Sequence, residues 1–234
     1  MTTQARATGI ASLPLLPPGP RAGHTGDRVR QVLEEAILQA VLPPRTHLNA
    51  DSLAKQLGVS HIPVREALRS LAADGWVEVR PHVGAFVRER NEQELADLFE
   101  MRLLLEPAAA QTAADRRSAA QLAELDTILA EQAAAEDAVD LARINARFHV
   151  AVAECSQNQL MVGFVHMLSM RARFYFSAVA PRRRTESLRE HTELTDALRR
   201  RDGADAARIV REHVRCTSSD VLESLRSHPL APAD

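Results

Sequence analysis

The sequence predicts a mostly α-helical protein, an N-terminal winged helix-turn-helix followed by an all-α antiparallel helical bundle. Three observations carry that expectation. Two short amphipathic segments meet at Gly58, two alternating segments flank a Pro-Gly turn just after them, and beyond Asn91 glycine is confined to Gly163 and Gly203 while strand patterns disappear.

The stretch to residue 24 holds Pro14, Pro17, Pro18 and Pro20 and shows no apolar period, so a disordered N-terminal arm is expected over 1–24. From Arg28 to Ala40 the apolar positions recur at three and four, a first amphipathic helix stopped by Pro43-Pro44. A short helix follows from Asn49 to Leu57. Gly58 tolerates the left-handed conformation that ends it, and Ser60 is placed to cap the next. That next helix, His61 to Asp74, puts Val64, Leu68 and Leu71 on one face and admits Pro63 in its first turn. Trp76 to Arg80 alternates as a strand, Pro81 to Gly84 turns, and Ala85 to Arg88 returns as its partner. These pieces define a DNA-binding domain over 25–90. Residues 91–228 read as six helices with short connections, an antiparallel bundle, with a tail at 229–234.

With 234 residues, 45% of them hydrophobic, the chain is long enough to bury one large or two modest cores, and disorder over its whole length is excluded. No apolar run approaches the roughly 20 residues of a membrane helix, and Cys155 and Cys216 have no C-x-x-C spacing, so a reduced cytoplasmic setting is expected. The net charge of −2 hides a gradient: residues 1–90 carry 11 Lys+Arg against 8 Asp+Glu, and residues 91–234 carry 18 against 23. A mildly basic module on an acidic body suits double-stranded DNA as partner. Lys55 is the only lysine; the Arg excess suits bidentate contacts to phosphate and guanine and also follows from GC-rich coding.

In a helix-turn-helix the second helix enters the major groove and presents its N-terminal turns to the bases. Arg65 is the candidate for a bidentate guanine contact and Arg69, one turn on, for phosphate. Ser60 and His61 add backbone contacts, and His82 and Gly84 at the wing tip reach toward the minor groove. The alternative for both arginines is a solvated helix face.

The runs Leu57-Gly58-Val59-Ser60-His61-Ile62-Pro63-Val64-Arg65-Glu66-Ala67-Leu68 and Gly75-Trp76-Val77-Glu78-Val79-Arg80-Pro81-His82-Val83-Gly84-Ala85-Phe86-Val87 resemble the GntR family of bacterial transcription regulators. The helical remainder is similar to the effector-binding FCD domain of the FadR-like subgroup. The resemblance implies a homodimer that binds a palindromic operator, most often as a repressor released by its effector. His61 and Ile62 depart from the Arg and Thr common in the family, which implies an altered operator, and Arg45 replaces a common Gly.

Asn145 and His149 lie four apart on one face of an apolar helix, the spacing two ligands of one metal need. His191 is 12 residues before Gly203 and His213 is 10 after it, so in an antiparallel hairpin their heights differ by about 3 Å. Three His and one Asn from three helices can therefore converge, with His166 a competitor opposite His149. Imidazoles suit zinc or nickel, and the neutral ligand set leaves room for a small carboxylate effector to complete the coordination. The resemblance implies the set Asn145, His149, His191 and His213, because metal-binding FCD domains use an Asp or Asn and three His. It also implies that Arg102 faces the effector cavity; the alternative is an ion pair with a nearby Glu. Arg171 and Arg173 are weaker cavity candidates. A metal-dependent hydrolase is the competing class, opposed by the lack of H-E-x-x-H and of a general base better placed than Glu154 or Glu190. A regulator whose effector is the metal ion itself is a third.

Overall fold

The computed structural model describes residues 8–16, 25–177 and 179–227. They form two compact units that divide between Arg90 and Asn91. The expected tail at 229–234 lies outside the described residues, as do parts of the expected arm.

In the first unit α1 (Thr25–Leu38), α2 (Ala50–Leu57) and α3 (His61–Ala73) precede a two-stranded antiparallel sheet of β1 (Val77–Arg80) and β2 (Gly84–Val87). The Asn49 side chain accepts from the backbone N–H groups of Asp51 and Ser52 to start α2, and Gly58, at φ 68°, ends it. Val29, Leu33 and Ile37 of α1, Leu53 and Leu57 of α2 and Val64 and Leu71 of α3 form the core. The wing register pairs Val77 with Val87 and Arg80 with Gly84. Residues 45–48 add a further edge to β2, through Leu48 N–H to the Ala85 carbonyl and Arg45 N–H to the Val87 carbonyl. Arg45 does more than adjust a loop: it sits at φ 71°, and its guanidinium is anchored on Glu89 at 2.6 Å.

One expectation is corrected. Residues 8–16 of the supposed disordered arm are docked on the first unit, with a 3-10 turn at Ile10–Ser12 and Leu13 buried. Gly9 N–H donates to the Val41 carbonyl, Leu16 N–H to the Leu57 carbonyl, and the Gln56 amide to the Leu13 carbonyl. A single buried leucine and backbone hydrogen bonds order a segment whose sequence has no period.

The second unit is all-helical: α4 (Glu92–Arg116), α5 (Ala119–Ala134), α6 (Ala138–Cys155), α7 (Gln159–Phe176), α8 (Arg184–Arg199) and α9 (Gly203–Ser227). α4 packs most heavily on α9, and α6 on α7. Asn91, Ser118, Asp137 and Asn158 cap the first four of these helices through side-chain oxygens. α7 ends at Phe176, because Val179 and Ala180 turn back onto the Phe176 carbonyl ahead of Pro181. Cys155 and Cys216 are free; Cys155 is buried and its thiol is pushed up to about 11 by burial, whereas Cys216 is half-buried.

Candidate functional site

In the first unit Arg65 and Arg69 share a cleft of about 450 Å³ with Val79, Val83 and Gly84 of the wing and with His47 and Asn49. Both arginines are exposed. A helix face bearing two guanidiniums beside a short β-ribbon is the geometry that spans a groove and its flanking phosphates. Gly84 lies at φ 132°, and a Cβ there would fall 2.5 Å from His47 Nε2, so the wing backbone rests directly on that ring. His47 in turn stacks on Phe86 at 4.8 Å. Sequence reading gave His47 no role, because its strand-like pairing with Phe86 is a non-local contact. Ser60 and His82 are exposed but do not line the cleft, and His61 Nδ1 sits 3.0 Å from Asp51. Ile62 is 70% exposed, as a residue kept for an apolar base edge would be.

The second unit brings His149 of α6, His191 of α8 and His213 of α9 together in its interior, with potential ligand atoms all within 4.8 Å of one another. The α8–α9 hairpin delivers the match in height that the spacing about Gly203 predicts, with the His191 and His213 ring centroids 4.7 Å apart. Asn145 is buried one turn from His149, and its Oδ1 has no hydrogen-bond partner among the described residues. His166 is elsewhere. It lines a groove with Arg143, Arg147 and Arg173, from residues on the face of α6 turned away from the cluster.

Each imidazole is held from behind at Nδ1. Glu106 of α4 lies 2.9 Å from His149, the side-chain Oε1 of Gln132 of α5 lies 2.8 Å from His191, and Glu190 of α8 lies 2.7 Å from His213. Carboxylates and amide oxygens accept, so each ring carries a proton on Nδ1 and turns its Nε2 toward the other two rings. Both carboxylates are braced: Arg102 grips Glu106 at 2.5 Å, and Arg183 grips Glu190 at 2.8 Å while also holding Asp220. Two Arg–Glu–His chains thus converge on one point, an arrangement that fixes ring orientation as outer partners of metal ligands do.

The electrostatics agree. Burial alone would raise the Glu106 carboxyl, but the Arg102 guanidinium and His149 outweigh it and hold the group well below the usual carboxylate range. Burial, then the His213 and His149 imidazoles, keeps His191 well below its ordinary value, and burial, outweighing the opposing hydrogen bond to Glu190, brings His213 down to about 4. Both rings are therefore neutral, the form a metal requires, throughout the physiological range.

Sequence reading found the histidines and missed Glu106, Gln132 and Glu190 as their partners, and Arg183 behind Glu190, because those pairings depend on the register of five separate helices. Arg102 is 1% exposed and spent on Glu106, the ion-pair alternative of its two readings. Arg171 pairs with Glu94 at 3.2 Å, and Arg173 lines the groove that holds His166.

Reading cleft, wing and all-helical second unit together define a winged-helix DNA-binding protein of the regulator class. Residues 25–87 match the bacterial regulatory proteins of the gntR family, and residues 97–215 match the FCD domain. The chain belongs to the GntR family of transcriptional regulators, in the branch that carries an FCD domain. It is 31% identical to the Nta operon transcriptional regulator of Aminobacter aminovorans over 78% of this chain and 88% of that protein. It is 29% identical to the galactonate operon transcriptional repressor of Escherichia coli over 77% and 89% of the two. The solved structure of E. coli McbR/YncC shares the fold, with a TM-score of 0.76 at 23% identity over 85% of this chain and 97% of that one. The matched families and these relatives are regulators and not enzymes. Among the described residues no helix is long and apolar enough to cross a membrane.

Proposed function

We propose that the protein is a repressor that binds a palindromic operator as a homodimer and is released by a small carboxylate acting at a metal ion held by Asn145, His149, His191 and His213. The observation that carries the metal reading is the approach of His149 Nε2 to His213 Nε2 at 3.2 Å. With both Nδ1 atoms committed to carboxylates, the two Nε2 atoms face each other at the spacing that two ligands of one cation take. Tetrahedral Zn–N bonds of about 2.05 Å set neighbouring nitrogens about 3.3 Å apart. The unpartnered His191 Nε2 and Asn145 Oδ1 supply the remaining donors. Bound there, zinc or nickel supplies a Lewis-acidic position for an anion.

The protein's own residues do the rest. Glu106, Gln132 and Glu190 aim the rings, and Arg102 holds Glu106 in place. Ligands on α6, α8 and α9, with Arg102 and Glu106 on α4, link the cluster to the helix that begins at Glu92, directly after the DNA-binding unit. An effector with unequal affinity for two packings of these helices shifts the population of the DNA-competent one. Two relatives of similar length are named as repressors, that of the galactonate operon and RspR of E. coli.

Genomic fragment selection with zinc-loaded and metal-free protein tests this reading: a short palindrome should be enriched, and an acid acting through the metal should release it. Failure to enrich any sequence in either form counts against it.

Two contacting helices support the homodimer. α4 leaves Met101 and Leu104 exposed, at 45% and 63%, and α7 leaves Leu160, Phe164 and Met167 exposed, an apolar stripe of the kind that marks an interface. The wild-type protein is expected to run at twice its 25.7 kDa chain mass in analytical ultracentrifugation, and Leu104→Glu with Phe164→Glu at the monomer mass. An unaltered dimer in that variant moves the interface elsewhere.

The Arg183–Glu190–His213 chain gives a further expectation. Glu190→Ala should lower zinc affinity in chelator competition about 10- to 100-fold, by releasing the His213 ring from its Nδ1 anchor. Unchanged affinity would show that the carboxylate is not orienting a ligand.

A further inference from the structure

Each imidazole has a polar residue one turn away on its own helix face: Asn145 four residues before His149, Ser187 four before His191, Thr217 four after His213. Helix direction decides whether these three lie together. α5 and α6 are antiparallel, since Gln121 reaches the Glu154 carbonyl while Glu131 meets Arg147. α5 and α8 are antiparallel as well, with Asp126 on Arg199 and Gln132 on His191. α6 and α8 therefore run parallel. α9 opposes α8, with Arg200 on Asp205 at one end and Arg183 on Asp220 at the other. Four residues back along α6 and α8, and four forward along α9, are all steps of about 6 Å in one direction. Asn145, Ser187 and Thr217 form a second polar layer beside the imidazoles, on the side of Arg183 and Asp220.

That layer is unsatisfied. Ser187 Oγ, Thr217 Oγ1 and Arg183 Nε are buried and find no hydrogen-bond partner among the described residues, while Asn145 Oδ1, equally unpartnered, is the donor given to the metal above. The four residues are 2%, 0%, 7% and 4% exposed. Buried helical hydroxyls ordinarily bond the carbonyl one turn back, as Thr195 does to His191 and Thr192 to Leu188 in the same helix as Ser187. Ser187 and Thr217 do not. Native interiors leave few polar atoms unpaired, and several in one layer call for a common partner.

We propose that Arg183, Ser187 and Thr217 form an effector subsite for a short hydroxylated carboxylate, an inference that rests on the metal reading above. The Arg183 Nε–H and the two hydroxyls donate to carboxylate oxygen not taken by the metal. The same hydroxyls also accept, which matches hydroxyl groups on the ligand. An alkyl or aromatic acid would leave all of these groups desolvated and unmet. Arg183 also holds Glu190, which holds His213, so an anion drawing on this guanidinium acts on a residue that already positions a ring of the cluster.

The test is calorimetric titration of the zinc-loaded full-length protein with lactate, malate and gluconate, and with hexanoate and benzoate as apolar comparisons. A hydroxylated acid is expected to bind, and Ser187→Ala and Thr217→Val each to weaken it about tenfold, the cost of one hydrogen bond, with zinc stoichiometry unchanged. Without ligand, Thr217→Val should melt at the same or a higher temperature, because it removes an unpaired hydroxyl and keeps its volume. Wild-type acid affinity in both variants overturns the subsite, as does a lowered melting temperature with unchanged affinity, which would reveal a structural partner. Binding of only the apolar acids, or of no acid, overturns the ligand class. Failure to take up zinc sinks the metal reading, whereas zinc uptake with unaltered acid affinity in the variants sinks only the subsite.

Discussion

Replacing His191 and His213 together with alanine is expected to leave purified protein with no bound divalent metal above background, against one equivalent in the wild type by elemental analysis. The two residues supply half of the four proposed ligands, and they come from the two arms of one hairpin, so their loss leaves only the Asn145 and His149 pair on α6. Stability falls too. Phe148 loses the ring stacked on it at 3.9 Å, and Gln132 and Glu190 lose the protons they accept, so melting of the metal-free variant should come several degrees lower, in line with about 2–4 kcal/mol for emptied, polar core positions. His166→Ala is the control. It lies in the groove on the far face of α6 and should keep its full metal content. Full occupancy in the double variant would refute the cluster as the metal site.

Arg65→Ala is expected to remove sequence-specific operator binding while the fold stays intact, since the side chain is exposed. A bidentate guanine contact is worth about 1–3 kcal/mol of discrimination, and a symmetric dimer loses it twice, once per half-site. Arg69→Ala should behave differently. As a phosphate contact it should weaken operator and random DNA alike and reduce the salt slope by about 1. Fluorescence anisotropy across a salt series distinguishes the two. Undiminished preference for the operator in Arg65→Ala would take that residue out of the reading role.

The elements legible in the sequence are those whose information is local. Three-and-four spacing marks α1 and α6, a glycine at φ 68° marks the turn between α2 and α3, and alternation marks the wing. The histidines were partly legible for a related reason: Gly203 marks the hinge of a hairpin, and counting outward from a hinge predicts which residues face each other. What sequence could not supply is register between elements far apart in the chain. Glu106 meets His149 across 43 positions of sequence and Gln132 meets His191 across 59, and nothing in either neighbourhood marks the pairing. The docked segment at 8–16 was hidden for the opposite reason, since one buried leucine among prolines leaves no pattern to read. Ser187 and Thr217 became visible as candidates only once the partners they lack could be checked.

The seating of the wing on His47 bears on how the protein selects DNA. With residues 45–48 stitched to β2 and the Gly84 backbone resting on an imidazole, the ribbon arrives already shaped, and its ordering entropy has been spent in folding. A groove of the wrong width must then deform itself to be read. On the proposed operator, stiff sequences would resist and pliable ones yield, so part of the selectivity would fall on base pairs that no side chain touches.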